Sequence, residues 1–308
     1  MRVQLAAEAA HVYDSKPEWL KIRPPTETFS ELKELIDHFG LHTVCQEAHC
    51  PNMSECWSTG TATFMVLGDT CTRGCRFCAV KTGNPKGAVS KSEPLMLAKC
   101  VREMNRLGKI DYIVVTSVDR DDLPDQGSGH FASCIREVKN AVPGIMVEVL
   151  TPDFRGSREC VKAVVDARPD VFDHNIETVR RLQKKVRDPR AGYEQSLSVL
   201  AAVKELNPEI FTKSSLMLGL GETEDEIVGA MKDLRSVGVD ILTLGQYLRP
   251  SAIHLPVAEY VAPERFNNLK LVGERLGFKY VAAGPFVRSS YRAGELFVKN
   301  VLKGNRNG

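Results

Sequence analysis

No run of about 18 apolar residues occurs in this sequence, which excludes a membrane-spanning helix. The N-terminus has no apolar core of a secretion signal, and Glu8, Asp14 and Glu18 argue against a retained transit peptide. The expected compartment is therefore the cytoplasm, or an organellar matrix where a transit segment has been removed. Charge of one sign is also lacking. Forty-one Lys and Arg stand against 39 Asp and Glu, a formal net charge of +2, so neither nucleic acid nor a membrane surface is expected as a partner. No internal repeat or low-complexity stretch is found, and no GxGxxG follows a strand-like segment, which leaves a dinucleotide-binding sheet little support. What remains is an ordinary soluble composition, 43% hydrophobic and 26% charged, in 308 residues. That length suffices for one large domain or two modest ones.

Cysteine is where the composition departs from the ordinary. There are nine, an odd number, and six of them fall between Cys45 and Cys78. A disulfide framework belongs to short, loop-rich secreted domains with even counts. Clustering in a long chain points instead to metal or cluster ligation in a reducing compartment. Cys100, Cys134 and Cys160 are scattered through helix-like segments and read as packing residues.

From Thr61 onward, apolar β-branched runs alternate with amphipathic stretches. Strands are expected at 63–67, 112–116, 146–150, 171–174, 212–218 and 241–244, with a seventh at 279–282. Helices are expected near 92–107, 130–140, 157–167, 193–206, 224–237 and 263–276, and a short one at 30–39 with Ser30 as N-cap. Continuous apolar strands joined by helices imply a parallel sheet buried on both faces. Polar residues gather at strand C-terminal ends: Thr116 and Ser117, Glu148 with Thr151, His174 to Glu177, Gln246 and Tyr247. In a parallel barrel those ends converge on one face where ligands bind, so a barrel is favoured.

Immediately after the first strand stands Cys71-Thr72-Arg73-Gly74-Cys75-Arg76-Phe77-Cys78, a CxxxCxxC spacing. Three thiolates on one tight loop ligate three irons of a cubane and leave the fourth open to a small chelating molecule. Structural zinc wants four N or S ligands, usually in CxxC pairs, and this loop supplies three with no histidine. The motif, with an aromatic before its last cysteine and a β/α series behind it, resembles the radical S-adenosylmethionine (SAM) superfamily. That resemblance implies a full or partial (β/α) barrel. It further implies that Cys71, Cys75 and Cys78 hold a 4Fe–4S cluster whose open iron binds SAM, the source of a 5′-deoxyadenosyl radical.

Upstream, Cys45, Cys50 and Cys56 form a CxxxxCxxxxxC triplet that fits no common zinc finger or ribbon, although zinc with His49 or His42 stays open. Near the other end lies Arg288-Ser289-Ser290-Tyr291, whose serines would ordinarily be read as N-caps. The two triplets together with this RSSY resemble the lipoyl synthase family, and the likeness runs over nearly the whole chain. Residues 16–20 (KPEWL), 116–125 (TSVDRDDLPD), 173–178 (DHNIET), 246–248 (QYL), Pro250 with Ser251, and 254–257 (HLPV) belong to it. Gln46 and Gln126 depart from the family pattern at positions that carry no ligand.

The resemblance implies a partial (β/α)6 parallel barrel over residues 61–283. Residues 1–60 form an N-terminal extension, and residues 284–308 a C-terminal one bearing RSSY. It implies that Cys45, Cys50, Cys56 and Ser290, with Ser289 as fallback, hold an auxiliary 4Fe–4S cluster that donates sulfur. An alkoxide is a poorer partner for such a cluster than a thiolate, which suits a site that must open. The substrate implied is an octanoyl-lysine on a carrier domain, thiolated at carbons 6 and 8 at the expense of two SAM. Further partners implied are a low-potential donor such as ferredoxin or flavodoxin and iron–sulfur cluster delivery proteins. Thr116, Glu148, Asn175 and Arg187 are candidate SAM contacts by their position at or after strand ends. Arg180, Arg181, Lys184, Lys185, Arg187 and Arg190 form a basic run at helical spacing, either a solvated face or a dock for an acidic carrier. Residues 219–223 read as a strand-to-helix turn rather than a phosphate loop, for want of a Lys-Ser/Thr ending. Three rival readings remain: a biotin-synthase-like enzyme, a radical SAM enzyme whose second cluster only carries electrons, and a non-enzymatic zinc module.

Overall fold

The computed structural model describes residues 17–20, 27–48, 50, 52–58, 63–108 and 110–290. Its centre is one eight-stranded sheet in the order β1 (His42–Thr43), β2 (Thr63–Val66), β5 (Tyr112–Ser117), β6 (Met146–Leu150), β7 (Val171–Asp173), β8 (Phe211–Leu218), β9 (Ile241–Gln246), β10 (Tyr280–Gly284). From β2 to β10 every pairing is parallel, and only β1 is antiparallel, on β2. Six crossovers carry α4 (Glu93–Arg106), α5 (Ser128–Ala141), α6 (Arg158–Val165), α8 (Tyr193–Leu206), α9 (Glu224–Ser236) and α10 (Pro263–Arg275). With β1 at one end and β10 at the other, the sheet is an open barrel of six β/α units, as expected. Two short strands, β3 (Thr70–Cys71) and β4 (Lys81–Thr82), pair beside it.

The strands form where the sequence is apolar and β-branched, and they are buried on both faces. Their inward side chains plug the N-terminal end of the barrel with Tyr112, Val114, Met146, Val171, Phe211 and Ile241. Their outward side chains pack on helix stripes such as Leu97, Val101 and Met104 of α4. Helix starts are chemically marked: Thr223 and Glu226 close a capping box on α9, and Ser157 caps α6. Above the apolar plug lies a charged layer. Lys213 Nζ meets Glu148 Oε1 at 2.5 Å and Asp173 Oδ2 at 3.5 Å, and all three side chains are at most 2% exposed.

Three expectations need correction. Helix α1 runs Glu27–His38, so Ser30 lies within it and is not its N-cap. The basic run is not one helical face: a 3-10 turn Arg180–Leu182 leads into the single turn α7 (Gln183–Val186), and Leu182, Gln183 and Val186 turn inward. Glu148 lies in the middle of β6 and not at its end, because its carboxylate is the partner of Lys213 within the barrel. Cys100, Cys134 and Cys160 are buried in the core, as a packing role requires. His49, Tyr291 and most of residues 1–26 and 291–308 lie outside the described residues.

Candidate active site

The strand C-terminal ends open into a cavity of about 490 Å³. Its floor holds Thr116, Ser117, Thr151, His174, Asn175 and Gln246, the polar strand-end residues picked out in the sequence. Its walls hold Cys71, Cys75 and Cys78, and across from the strands Cys45, Cys50, Cys56, Ser289 and Ser290. Arg187 also lines it, whereas Glu148 does not. One concave site thus gathers both cysteine triplets and the serine pair, which span some 245 residues of chain.

The loop carrying Cys71, Cys75 and Cys78 is held by more than its own turn. Thr72 N–H donates to Asp119 O (2.9 Å), Gly74 N–H to Asp188 Oδ2 (2.9 Å) and Arg76 N–H to Val186 O (2.9 Å). His254 Nε2–H donates to Cys78 O at 3.0 Å, while Ser251 donates to His254 Nδ1 at 2.8 Å. Between the first two cysteines, Arg73 is only 3% exposed. Its guanidinium meets Asp121 (2.9 Å), Asp153 (2.7 Å) and Asp119 (3.3 Å), carboxylates from the loops after β5 and β6. Arg155 and Arg190 in turn pair with Asp121 at 2.9 and 3.2 Å. A buried cation spread over three acids fixes the loop's orientation on the barrel, since breaking it strands buried charge. Sequence reading singled out neither Arg73 nor these acids; the density of Asp in residues 119–125 was the available signal.

The second triplet is placed by α2 (Val44–Glu47), capped by Thr43, and by α3 (Met53–Ser58), whose Trp57 is fully buried with its ring 5.1 Å from that of Phe29. Asn52 Nδ2 donates to Phe286 O at 2.5 Å, which ties this region to the segment carrying Arg288, Ser289 and Ser290. That segment crosses the barrel mouth so closely that a Cβ on Gly245 would lie 2.0 Å from Val287 O. A glycine inside a strand often marks such an approach of a second backbone.

Burial raises all three thiols of the first triplet, Cys71 and Cys75 to about 12 and Cys78 to about 11. Cys45 and Cys50 are raised by the same cause. Metal-free, these thiols stay protonated at neutral pH, so iron loading must displace protons. On the floor, Arg187 Nη1 donates to Ser196 Oγ (2.8 Å), the Ser196 hydroxyl faces His174 Nε2 (2.9 Å), and His174 Nδ1–H donates to Thr151 O (2.9 Å). Burial lowers the His174 pKa to about 4, and the nearby Arg187 cation adds to this, so the imidazole is neutral.

Among the described residues, no three His, Cys, Asp or Glu side chains lie close enough to share one metal ion. A tetrahedral zinc with bonds of about 2.3 Å to sulfur requires that closeness. A polynuclear cluster spreads its thiolates over separate irons, and three half-buried thiols on one loop suit it. Polar atoms also await a ligand: Ser117 Oγ and Asn175 Oδ1 are buried with no hydrogen-bond partner among the described residues, and both residues line the cavity.

A parallel, open β/α barrel with a three-cysteine loop at its mouth defines a radical SAM protein, and residues 65–234 match the radical SAM superfamily. The lipoyl synthase of Thermus thermophilus is 58% identical over 92% of this chain and 87% of its own length. That of Anaeromyxobacter sp. is 58% identical over 93% and 96%, and the chloroplastic lipoyl synthase of Arabidopsis thaliana 57% over 94% and 74%. The chain belongs to the lipoyl synthase family. Among solved structures, the hydrogenase maturase HydG (TM-score 0.56, 16% identity, 85% of this chain and 57% of that one) and methylornithine synthase PylB (TM-score 0.53, 9%, 85% and 83%) share its fold. Superfamily membership brings SAM and a 4Fe–4S cluster as cofactors. No described helix is long and apolar enough to cross a membrane.

Proposed function

We propose that the chain is a lipoyl synthase in action as well as in family, inserting sulfur at carbons 6 and 8 of a protein-bound octanoyl-lysine. The observation that carries this is the single cavity lined by Cys71, Cys75, Cys78, Cys45, Cys50, Cys56 and Ser290 together. In this reading the first triplet holds the SAM-binding cluster, and the second triplet with Ser290 holds an auxiliary 4Fe–4S cluster. When bound, SAM on the first cluster supplies a radical able to take hydrogen from an unactivated C–H bond, and the auxiliary cluster supplies sulfide.

The chain's own residues bind, orient and exclude water. Ser117 and Asn175 offer unpartnered oxygens on the floor, with Thr116 and Arg187 beside them as SAM contacts. Arg187 is itself oriented by Ser196 and Gln183. Val44, Ala48, Met65, Leu216, Met217 and Leu248 give the cavity apolar wall, which suits an acyl chain and keeps bulk water from a radical. Arg73 keeps the first triplet fixed relative to that floor through three carboxylates.

Residues 1–60 and 284–308 act as extensions that complete the site on a barrel of residues 61–283. Octanoylated carrier domains are the substrate, a low-potential ferredoxin or flavodoxin the electron source, and iron–sulfur delivery proteins the means of renewal. Six thiols that must stay reduced for iron fit the cytoplasm, or an organellar matrix in the manner of the relatives named chloroplastic.

The test is anaerobic reconstitution followed by one turnover with dithionite, SAM and an octanoyl-lysine peptide, with iron and sulfide counted before and after. About eight irons at the start, dithiolated peptide, and loss of about four irons are expected. SAM cleavage with all iron retained and no thiolated peptide would refute the sacrificial role and leave a cluster that only carries electrons.

A further inference from the structure

The six basic residues that look like one run in the sequence have separate fates. Arg180 is taken up by Glu194, Asp233 and the ring of Tyr193, Arg181 by Glu226, and Arg190 by Asp188 and Asp121. Arg187 is buried against Ser196. Only Lys184 and Lys185 stay exposed with no carboxylate partner among the described residues.

Two arginines from distant parts of the chain join them. Arg76 is exposed, and its Nη1 donates to Lys185 O at 3.3 Å. Its backbone is pinned on both sides, Arg76 N–H to Val186 O (2.9 Å) and Leu255 N–H to Arg76 O (3.2 Å). Arg249, also exposed, donates through Nε to His254 O at 2.9 Å, and His254 is bonded to Cys78 O. Neither arginine has a carboxylate partner among the described residues. Three unpaired cations, Arg76, Lys184 and Lys185, thus lie together on the solvent face of the loop that carries Cys75 and Cys78, and Arg249 stands at the edge where that face meets the cavity. Cys75, Phe77 and Cys78 line the cavity, while Arg76 between them is exposed and does not.

We propose that this rim is the docking surface for an acidic, one-electron donor protein, a proposal that rests on the radical SAM reading of the first triplet. The protein's net charge is only +2, so three clustered, unneutralised cations are a local feature that selects a partner with an acidic face. Their position selects which partner. Each cleavage of SAM's sulfonium carbon–sulfur bond takes up one electron, so the donor is oxidised by one electron per encounter and two encounters serve one product. The electron has to arrive close to Cys71, Cys75 and Cys78, and the rim is the outer surface of that loop. A carrier domain must instead deliver its lysine arm through the cavity mouth, and Arg76, Lys184 and Lys185 do not line that cavity.

The test compares reduced flavodoxin with dithionite, which needs no docking, in the reconstituted full chain. Lys184→Glu/Lys185→Glu is expected to weaken flavodoxin binding, followed by flavin fluorescence, and to slow flavodoxin-driven SAM cleavage, each by roughly tenfold or more. Dithionite-driven cleavage and the KM for an octanoylated carrier domain are expected to stay unchanged. Lys184→Gln/Lys185→Gln, the gentler change, is expected to fall between, and wild-type affinity to weaken steeply with salt. Unchanged flavodoxin binding in both variants would overturn the proposal. A raised carrier KM with dithionite would do so too, by giving the surface to the carrier. Wild-type chain that cleaves no SAM with dithionite would overturn the reading of the site itself, and this proposal with it.

Discussion

Substituting Gly245 by alanine tests whether the segment crossing the barrel mouth completes the second cysteine site. Gly245 is paired on both sides, to Met217 of β8 and to Gly284 of β10, so its strand has no freedom to retreat. The new Cβ would lie 2.0 Å from Val287 O and 3.0 Å from Val287 C. Ordinary contact begins near 3.4 Å, so the carbonyl must withdraw by about 1.4 Å. Overpacking of this kind costs about 1–3 kcal/mol, and the segment can relieve it only by moving outward. Moving outward breaks the Asn52–Phe286 hydrogen bond, worth about 1 kcal/mol, and carries Ser289 and Ser290 away from Cys45, Cys50 and Cys56. The loop of Cys71, Cys75 and Cys78 is anchored elsewhere, by Asp119, Asp188 and Val186. Gly245→Ala is therefore expected to reconstitute with about four irons instead of about eight. It should still cleave SAM with dithionite while dithiolated product falls at least tenfold. A variant that binds the full iron complement and makes product at the wild-type rate would refute the reasoning. So would one that loses SAM cleavage in the same proportion as product, since the damage would then not be confined to the second site.

Two further changes probe the barrel beneath the cavity. Lys213→Met leaves Glu148 and Asp173 buried without their cation, and a loss of about 3–5 kcal/mol is expected in guanidinium denaturation. Adding Glu148→Gln to that variant should restore part of the loss, and a double variant less stable than the single one would refute the pairing. His174, held neutral with its pKa lowered to about 4, takes up its proton in the unfolded chain near its ordinary 6.5. Its stabilising contribution is therefore complete above about pH 6.5 and is lost as pH falls toward 4, by at most about 3 kcal/mol. His174→Gln should flatten the stability–pH curve across that window, and equal slopes in the two proteins would count against a buried neutral imidazole.

The central strands were legible because runs such as Phe64–Val66 and Ile113–Val115 are apolar at every position and so on both faces, a pattern with few competing readings. Helix α8 was legible to the residue for a different reason, its apolar positions recurring at helical spacing. Pairs of two residues were not: β1, β3 and β4 exist because of what they lie against, and nothing in their composition marks them. The cysteine spacings carried the site, but the grip on the first loop did not show, because Arg73 finds its acids 46 to 80 residues away in the chain. Glu148 illustrates the opposite error. A polar residue in a strand that lines a barrel can face the ligand or a buried partner one layer down, and only Lys213, 65 residues on, decides which. The basic run misled in the same way, since periodicity reports helical neighbours and says nothing of Asp233, Glu226 or Asp121 across the fold.

The two triplets are held in physically different ways, and the difference fits the work proposed for each. Cys71, Cys75 and Cys78 lie within eight residues on a loop fixed by backbone bonds and by a buried arginine with three carboxylates. Opening that loop would expose a network whose rupture costs several kcal/mol, so it stays closed through turnover. The second site is assembled from both ends of the chain. Its link across the mouth, from Asn52 to Phe286, joins residues 234 apart in sequence and exists only once the barrel has formed. Contacts of that kind, few and peripheral, are the first to open under native conditions and leave the rest of the fold intact. A cluster that is consumed and rebuilt needs such a roof: tight enough to keep water from a radical, and weak enough to lift while the barrel beneath stays folded.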